Sequence, residues 1–153
     1  MRIYLPSTLA ELGHPEGLNP RVVHAVTPAL RAALPEEDDE GLEYVAQLLA
    51  ADDSVDLLAT QPPADARWRR VVVAADVAED LVVALDDDGE QTASAMRLTA
   101  LVPWSDVACA HVDEASAEAE VRAAAEGDDD AAERLVERDL LWFDVSELAG
   151  LAR

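Results

Sequence analysis

The chain has 153 residues, half of them apolar, with 33 acidic and 11 basic side chains and a net charge of −22. That length fits one domain, 1–153, with a core of its own. The charge excludes unaided binding to nucleic acid or to an anionic membrane, because phosphate affinity rests on cations and the chain has no Lys at all.

Arg2-Ile3-Tyr4-Leu5-Pro6 reads as a first strand stopped by Pro6, and Ser7 or Thr8 as the cap of a short helix through Leu12. His14 to Pro20 is a loop by its Gly and Pro content, and Arg21 to Thr27 a second strand. Thr27-Pro28 opens a helix, with Thr27 as cap and Pro28 at the first position, where a missing N–H costs nothing. The acidic run Glu36 to Glu40 leads into a long helix from Gly41 to about Thr60, with Leu42, Val45, Leu49, Leu57 and Leu58 on the 3.6 period.

After the Gln61 to Asp65 linker comes Arg69-Arg70-Val71-Val72-Val73-Ala74-Ala75-Asp76-Val77, apolar on both faces and so a central strand covered on both sides. Leu81 to Leu85 is a strand, Asp88-Gly89 a hairpin turn, and Ser94 to Val102 the returning partner. Pro103 to Asp106 is a turn or one helical turn, and Val107 to Asp113 a strand. Ser116 to Glu126 is a helix ending at Gly127, and Asp128 caps another through Val136. Leu140 to Phe143 is a last strand, and Val145 to Leu151 a closing turn or helix. Strands alternating with helices predict an α/β sandwich with a mixed sheet of about five or six strands, or alternatively an α+β two-layer fold. Trp68, Trp104, Trp142, Phe143, Tyr4 and Tyr44 are the expected large pieces of a core otherwise built from Ala and Val.

Six stretches in this order carry a likeness: Met1 to Thr8, His24 to Arg31, Leu42-Glu43-Tyr44, Arg70 to Val77, His111-Val112-Asp113-Glu114 and Leu140 to Phe143. Together they resemble a family of small uncharacterised actinobacterial proteins, a domain of unknown function. The resemblance implies a bacterial, cytoplasmic protein and no particular activity. Asp144-Val145-Ser146-Glu147-Leu148 stands where the family carries a small residue and then Thr-Gln-Glu-Leu.

The familiar phosphate cradles are absent from the sequence, since no two of the six glycines make a G-x-G and no G-K-[ST] occurs. There is no G-x-S-x-G elbow. Cys109 is the only cysteine, so no internal disulfide forms, as suits a reducing cytosol. The opening residues lack the pattern of a signal peptide, and no apolar run approaches the ~20 residues of a membrane helix.

Three constellations carry candidate chemistry. Asp76, His111 and Asp113 would meet at one sheet edge if their strands run parallel and adjacent, and would there hold a divalent metal or move protons. His24, Thr27 and Arg31 form a weaker candidate anion site at a helix start. Cys109 and His111, two apart on a strand, make a candidate nucleophile dyad, against the plainer reading of a small core cysteine. Arg67, Arg69 and Arg70 beside Trp68 are expected to pair with the protein's own acids. The Asp triplets at 86–88 and 128–130 lack calcium-loop spacing and read as solvated turns. The functional expectation is a non-catalytic acidic binding or regulatory module that docks a basic protein partner and needs no cofactor. The competing expectation is a metal-dependent hydrolase of a small phosphate or amide, built on Asp76, His111 and Asp113.

Overall fold

The computed structural model describes residues 1–85 and 93–153. Seven strands form one open sheet: β1 (Arg2–Ser7), β2 (Val22–His24), β3 (Val71–Asp76), β4 (Val82–Ala84), β5 (Ala95–Leu98), β6 (Val107–Val112) and β7 (Leu141–Asp144). Their order is β4-β5-β2-β1-β3-β6-β7, and every pairing is antiparallel. The expected mixed sheet of five or six strands is thus corrected. The chain passes from β1 to β3 through β2, α1 and α2, and from β3 to β6 through β4 and β5, and each time it returns to the end it left, so the neighbours run opposite ways. The Asp88-Gly89 turn lies outside the described residues.

Val71 to Ala75 is fully buried, and β3 lies between β1 and β6, as its apolar faces demand. Pro6 does not end β1; it pairs opposite Val72, and its carbonyl accepts from the Arg21 guanidinium. On one face Ile3, Leu5, Val71, Val73 and Val112 pack with Leu9, Leu12, Leu18 and Leu148, which come from loops and short helical turns. Gly17, at φ 126°, lets the backbone approach there, since an added Cβ would lie 2.0 Å from the Val102 carbonyl oxygen.

The other face carries helix α2 (Asp39–Thr60), which begins two residues earlier than expected because Asp38 caps it by accepting from the Gly41 N–H. Its buried stripe is Leu42, Ala46, Ala50, Ala51, Ser54 and Leu58, which keeps Leu42 and Leu58 of the row read from the sequence and replaces Val45, Leu49 and Leu57 with small residues. Alanines let the helix lie close on Tyr4, Val72 and Ala74. Ser54 fixes the approach: its Oγ donates to the Ser7 carbonyl and accepts from the Val71 N–H. Helices α3 (Glu118–Ala125) and α4 (Asp129–Val136) pack Val121 and Leu135 on Leu58 beside it. Asp128 caps α4 as expected, and Thr27 caps the short α1 (Pro28–Ala33). Of the expected large core pieces Tyr4 is buried and Trp68, Trp104 and Phe143 pack half-buried against the core, but Trp142 is 60% and Tyr44 48% exposed. A sheet packed against alanines leaves little depth for an indole.

Candidate functional site

The antiparallel register decides the first candidate. Val71 pairs with Val112 and Ala75 with Val107, so Asp113 lies at the Arg70 end of β3 and Asp76 at the other. Residues 70 to 76 of an extended strand span about 20 Å. Asp76 is an exposed carboxylate held in a two-point pair by Arg2, at 2.8 and 3.0 Å. The hydrogen bond from Arg2 holds its carboxyl below the usual range. Asp113 is buried, 1% exposed, and locked to Arg70. His111 contacts the Cys109 sulfur at 3.8 Å, and burial pushes its pKa down. Asp76, His111 and Asp113 therefore do not surround one concavity, which corrects the assumption of parallel neighbouring strands. Among the described residues no group of three His, Cys, Asp or Glu side chains is placed to hold a metal.

Cys109 and His111 do share a face. Burial pushes the Cys109 thiol up, against the smaller opposing pull of Trp142 and Arg2, which disfavours the thiolate that a nucleophile needs.

The second candidate also disperses. Thr27 is used as the α1 cap, accepting from the Leu30 N–H at 3.0 Å and donating to the Ala93 carbonyl. Arg31 turns to Asp39 at 2.7 Å. His24 instead joins a different constellation. It is buried on β2, with Nδ1 2.7 Å from Ser94 Oγ and Nε2 2.6 Å from Asp53 Oδ2. An ionised carboxylate only accepts, so Nε2 carries a proton toward Asp53, and in the neutral ring Nδ1 accepts from the Ser94 hydroxyl. Ser94 is fully buried, so this chain of Ser, His and Asp presents no nucleophile. Its exposed end is Asp53, 39% exposed.

Asp53 lines the largest of the described cavities, about 590 Å³, between the start of β2 and the last turns of α2. Glu11, Arg21, Asp56 and Thr60 share its wall. Arg21 is paired: four of its five guanidinium N–H donors go to both Glu11 oxygens and the carbonyls of Pro6 and Asn19. Next to this cavity, sharing Asp56, a groove of about 360 Å³ separates α2 from α4. Val55, Leu135 and Val136 line this groove, with Asp52, Asp56 and Glu133 around them. Val136 is 65% exposed. Partial burial holds the Asp52 and Asp56 carboxyls above their usual range; the charge of Arg70 opposes this at Asp52, and neighbouring aspartates add to it at both.

Asp52, Asp53 and Asp56 stand apart from the rest of the charge. Among the described residues nine of the eleven arginines form ion pairs with carboxylates, including Arg67, Arg69 and Arg70 as expected. Among the described residues no arginine pairs with these three aspartates; their one cation-capable contact is His24 on Asp53. Sequence reasoning missed the cluster because Asp53 and Ser94 are 29 and 70 residues from His24, and nothing local links them.

No helix among the described residues is long and apolar enough to cross a membrane. No curated protein and no solved structure matches the chain. A family model described as a family of unknown function (DUF6912) matches residues 1–152, and the chain belongs to that family.

Proposed function

We propose that the protein is a non-catalytic binding module that docks a basic segment of a partner protein in the groove between α2 and α4. The observation that carries this reading is the groove's make-up, an apolar floor at Val55, Leu135 and Val136 rimmed by Asp52, Asp56 and Glu133, with no arginine on the rim. A helix or extended segment with apolar residues flanked by Lys or Arg matches both features. Carboxylates kept partly desolvated next to one another favour any ligand that brings positive charge. The setting we propose is an actinobacterial cytoplasm, where a single cysteine stays reduced.

Affinity capture from the host at low and moderate salt tests this, run beside the variant Asp52→Asn/Asp56→Asn/Glu133→Gln. The expected result is a basic partner recovered by the wild type, weakened by salt, and lost by the variant. Recovery of the same partner by both proteins, or of none by the wild type at low salt, overturns the reading.

A further inference from the structure

The cavity beside Asp53, which shares only Asp56 with the groove, carries a second conclusion. We infer that it is a binding site for a small organic cation, one carrying an amine or guanidinium group, with Asp53 as its counter-ion. Three features meet there. Its volume, about 590 Å³, falls in the ~300–1,000 Å³ range of small-molecule sites. Its carboxylate is built in: Asp53 Oδ2 is held by His24 Nε2, and His24 is itself buried and held by Ser94. Asp53 Oδ1 makes no hydrogen bond among the described residues, which leaves an acceptor for the ligand.

The charge of the wall sets the sign of the ligand. Arg21 would suit an anion if its charge were free, but the Glu11 carboxylate neutralises it, and Glu11 with the carbonyls of Pro6 and Asn19 takes four of its five N–H donors. What remains unneutralised is Asp53 and, one turn on, Asp56, which burial and Asp53 together make easier to protonate. Pro6, Pro20, Val22 and Leu57 supply apolar wall for a short methylene chain. An alkyl amine or alkyl guanidine uses both parts: the head on Asp53 and the chain on the apolar side.

Calorimetry with agmatine, and separately with putrescine, tests the site. The expected result is saturable one-site binding to the wild type. Asp53→Asn keeps an acceptor for His24 but removes the charge, and should weaken binding about tenfold or more, as loss of a charge-assisted hydrogen bond does. Thr60→Arg, on the exposed rim one turn from Asp56, supplies a tethered guanidinium. It should abolish binding while leaving the melting temperature unchanged or higher, so the test does not rest on Asp53→Asn folding well. Glu133→Gln in the groove and Asp129→Asn on α4 should leave probe affinity unchanged, which keeps this test apart from the partner-docking reading. Absence of saturable heat with both probes at millimolar concentration overturns the inference. So does an equal weakening by Asp129→Asn, because that result marks general condensation of cations on an acidic surface.

Discussion

Two groups of aspartates on the helical side of the sheet are treated in opposite ways. Asp113, at the end of β6, is buried, and its oxygens accept from the Arg70 backbone N–H at 2.9 Å and from Nε and Nη2 at 2.8 and 2.9 Å. The remaining Arg70 donors go to the carbonyls of Leu135 and Arg138 at 3.2 and 3.4 Å, closing the α4 end onto the sheet. Asp52, Asp53 and Asp56 on α2 form no ion pair with an arginine among the described residues, and burial, with a smaller push from neighbouring aspartates, raises the pKa of the Asp52 and Asp56 carboxyls. The first group is a closed network that serves the fold. The second is left open toward solvent at a cavity and a groove. In a chain of charge −22 the informative quantity is where its few arginines are placed, not how many acids it has.

The largest expected effect comes from opening the closed network. Asp113→Ala leaves the Arg70 guanidinium buried without its partner, and truncating one member of a buried pair costs about 3–5 kcal/mol. Arg70→Met/Asp113→Leu removes both charges and should recover most of that loss, because apolar replacement of a whole pair is often near neutral. Urea unfolding of the two variants measures the difference. A cost below about 1 kcal/mol for Asp113→Ala would show that water reaches the pair and that the contrast between the two regions is one of degree.

The open group should respond the other way. Asp52→Asn/Asp56→Asn is expected to raise the melting temperature at neutral pH by a few degrees while weakening partner capture, the usual opposition between a binding surface and stability. The sign with pH follows from the direction of the shifts. A carboxyl whose folded pKa is raised stabilises the fold when protonated and loses that contribution as pH rises through the folded value. The advantage of the variant over wild type should therefore shrink as the pH falls through the folded value, above the ordinary Asp range, and be gone below that range. Moderate salt should also raise the wild-type melting temperature, since the screening length is about 8 Å at 0.15 M, and should do so less for the variant. A variant less stable than wild type at neutral pH breaks the comparison, because it would mean these aspartates hold the fold together.

Much of the frame was legible in the sequence for local reasons. Thr27-Pro28, Asp128 and the unbroken apolar run of β3 each state their structure within a few residues, and each stands where expected. Strand direction was not legible, because it depends on how long connections turn, and that error alone placed Asp76 beside Asp113. The buried face of α2 was misread for a different reason. Leu and Val were weighted above Ala, yet the sheet takes Ala46, Ala50 and Ala51 because closeness, not side-chain volume, makes that contact. The candidate site was hardest to see. His24 was singled out, but its partners come from α2 and from the residues before β5, and only tertiary structure brings them to it.

The smallest expected effect concerns Asp76, where the sequence placed a metal ligand and the structure places a surface pair. Arg2 and Asp76 face each other across β1 and β3 at the exposed end of both strands. An exposed pair of this kind contributes about 0.2–1 kcal/mol, because water and salt already screen both charges. Asp76→Asn should therefore lower stability by no more than about 1 kcal/mol at neutral pH. Arg2 depresses the Asp76 pKa, so the contribution is present above the ordinary Asp range and is lost as pH falls through the folded value. The difference between variant and wild type should vanish in acid, opposite in sign to the change at Asp52 and Asp56. Titration with Mn²⁺ gives the sharper reading. If Asp76 is only half of an ion pair, wild type and Asp76→Asn give the same heat, whereas a saturable wild-type signal abolished by the substitution would restore a metal site at this end of the sheet.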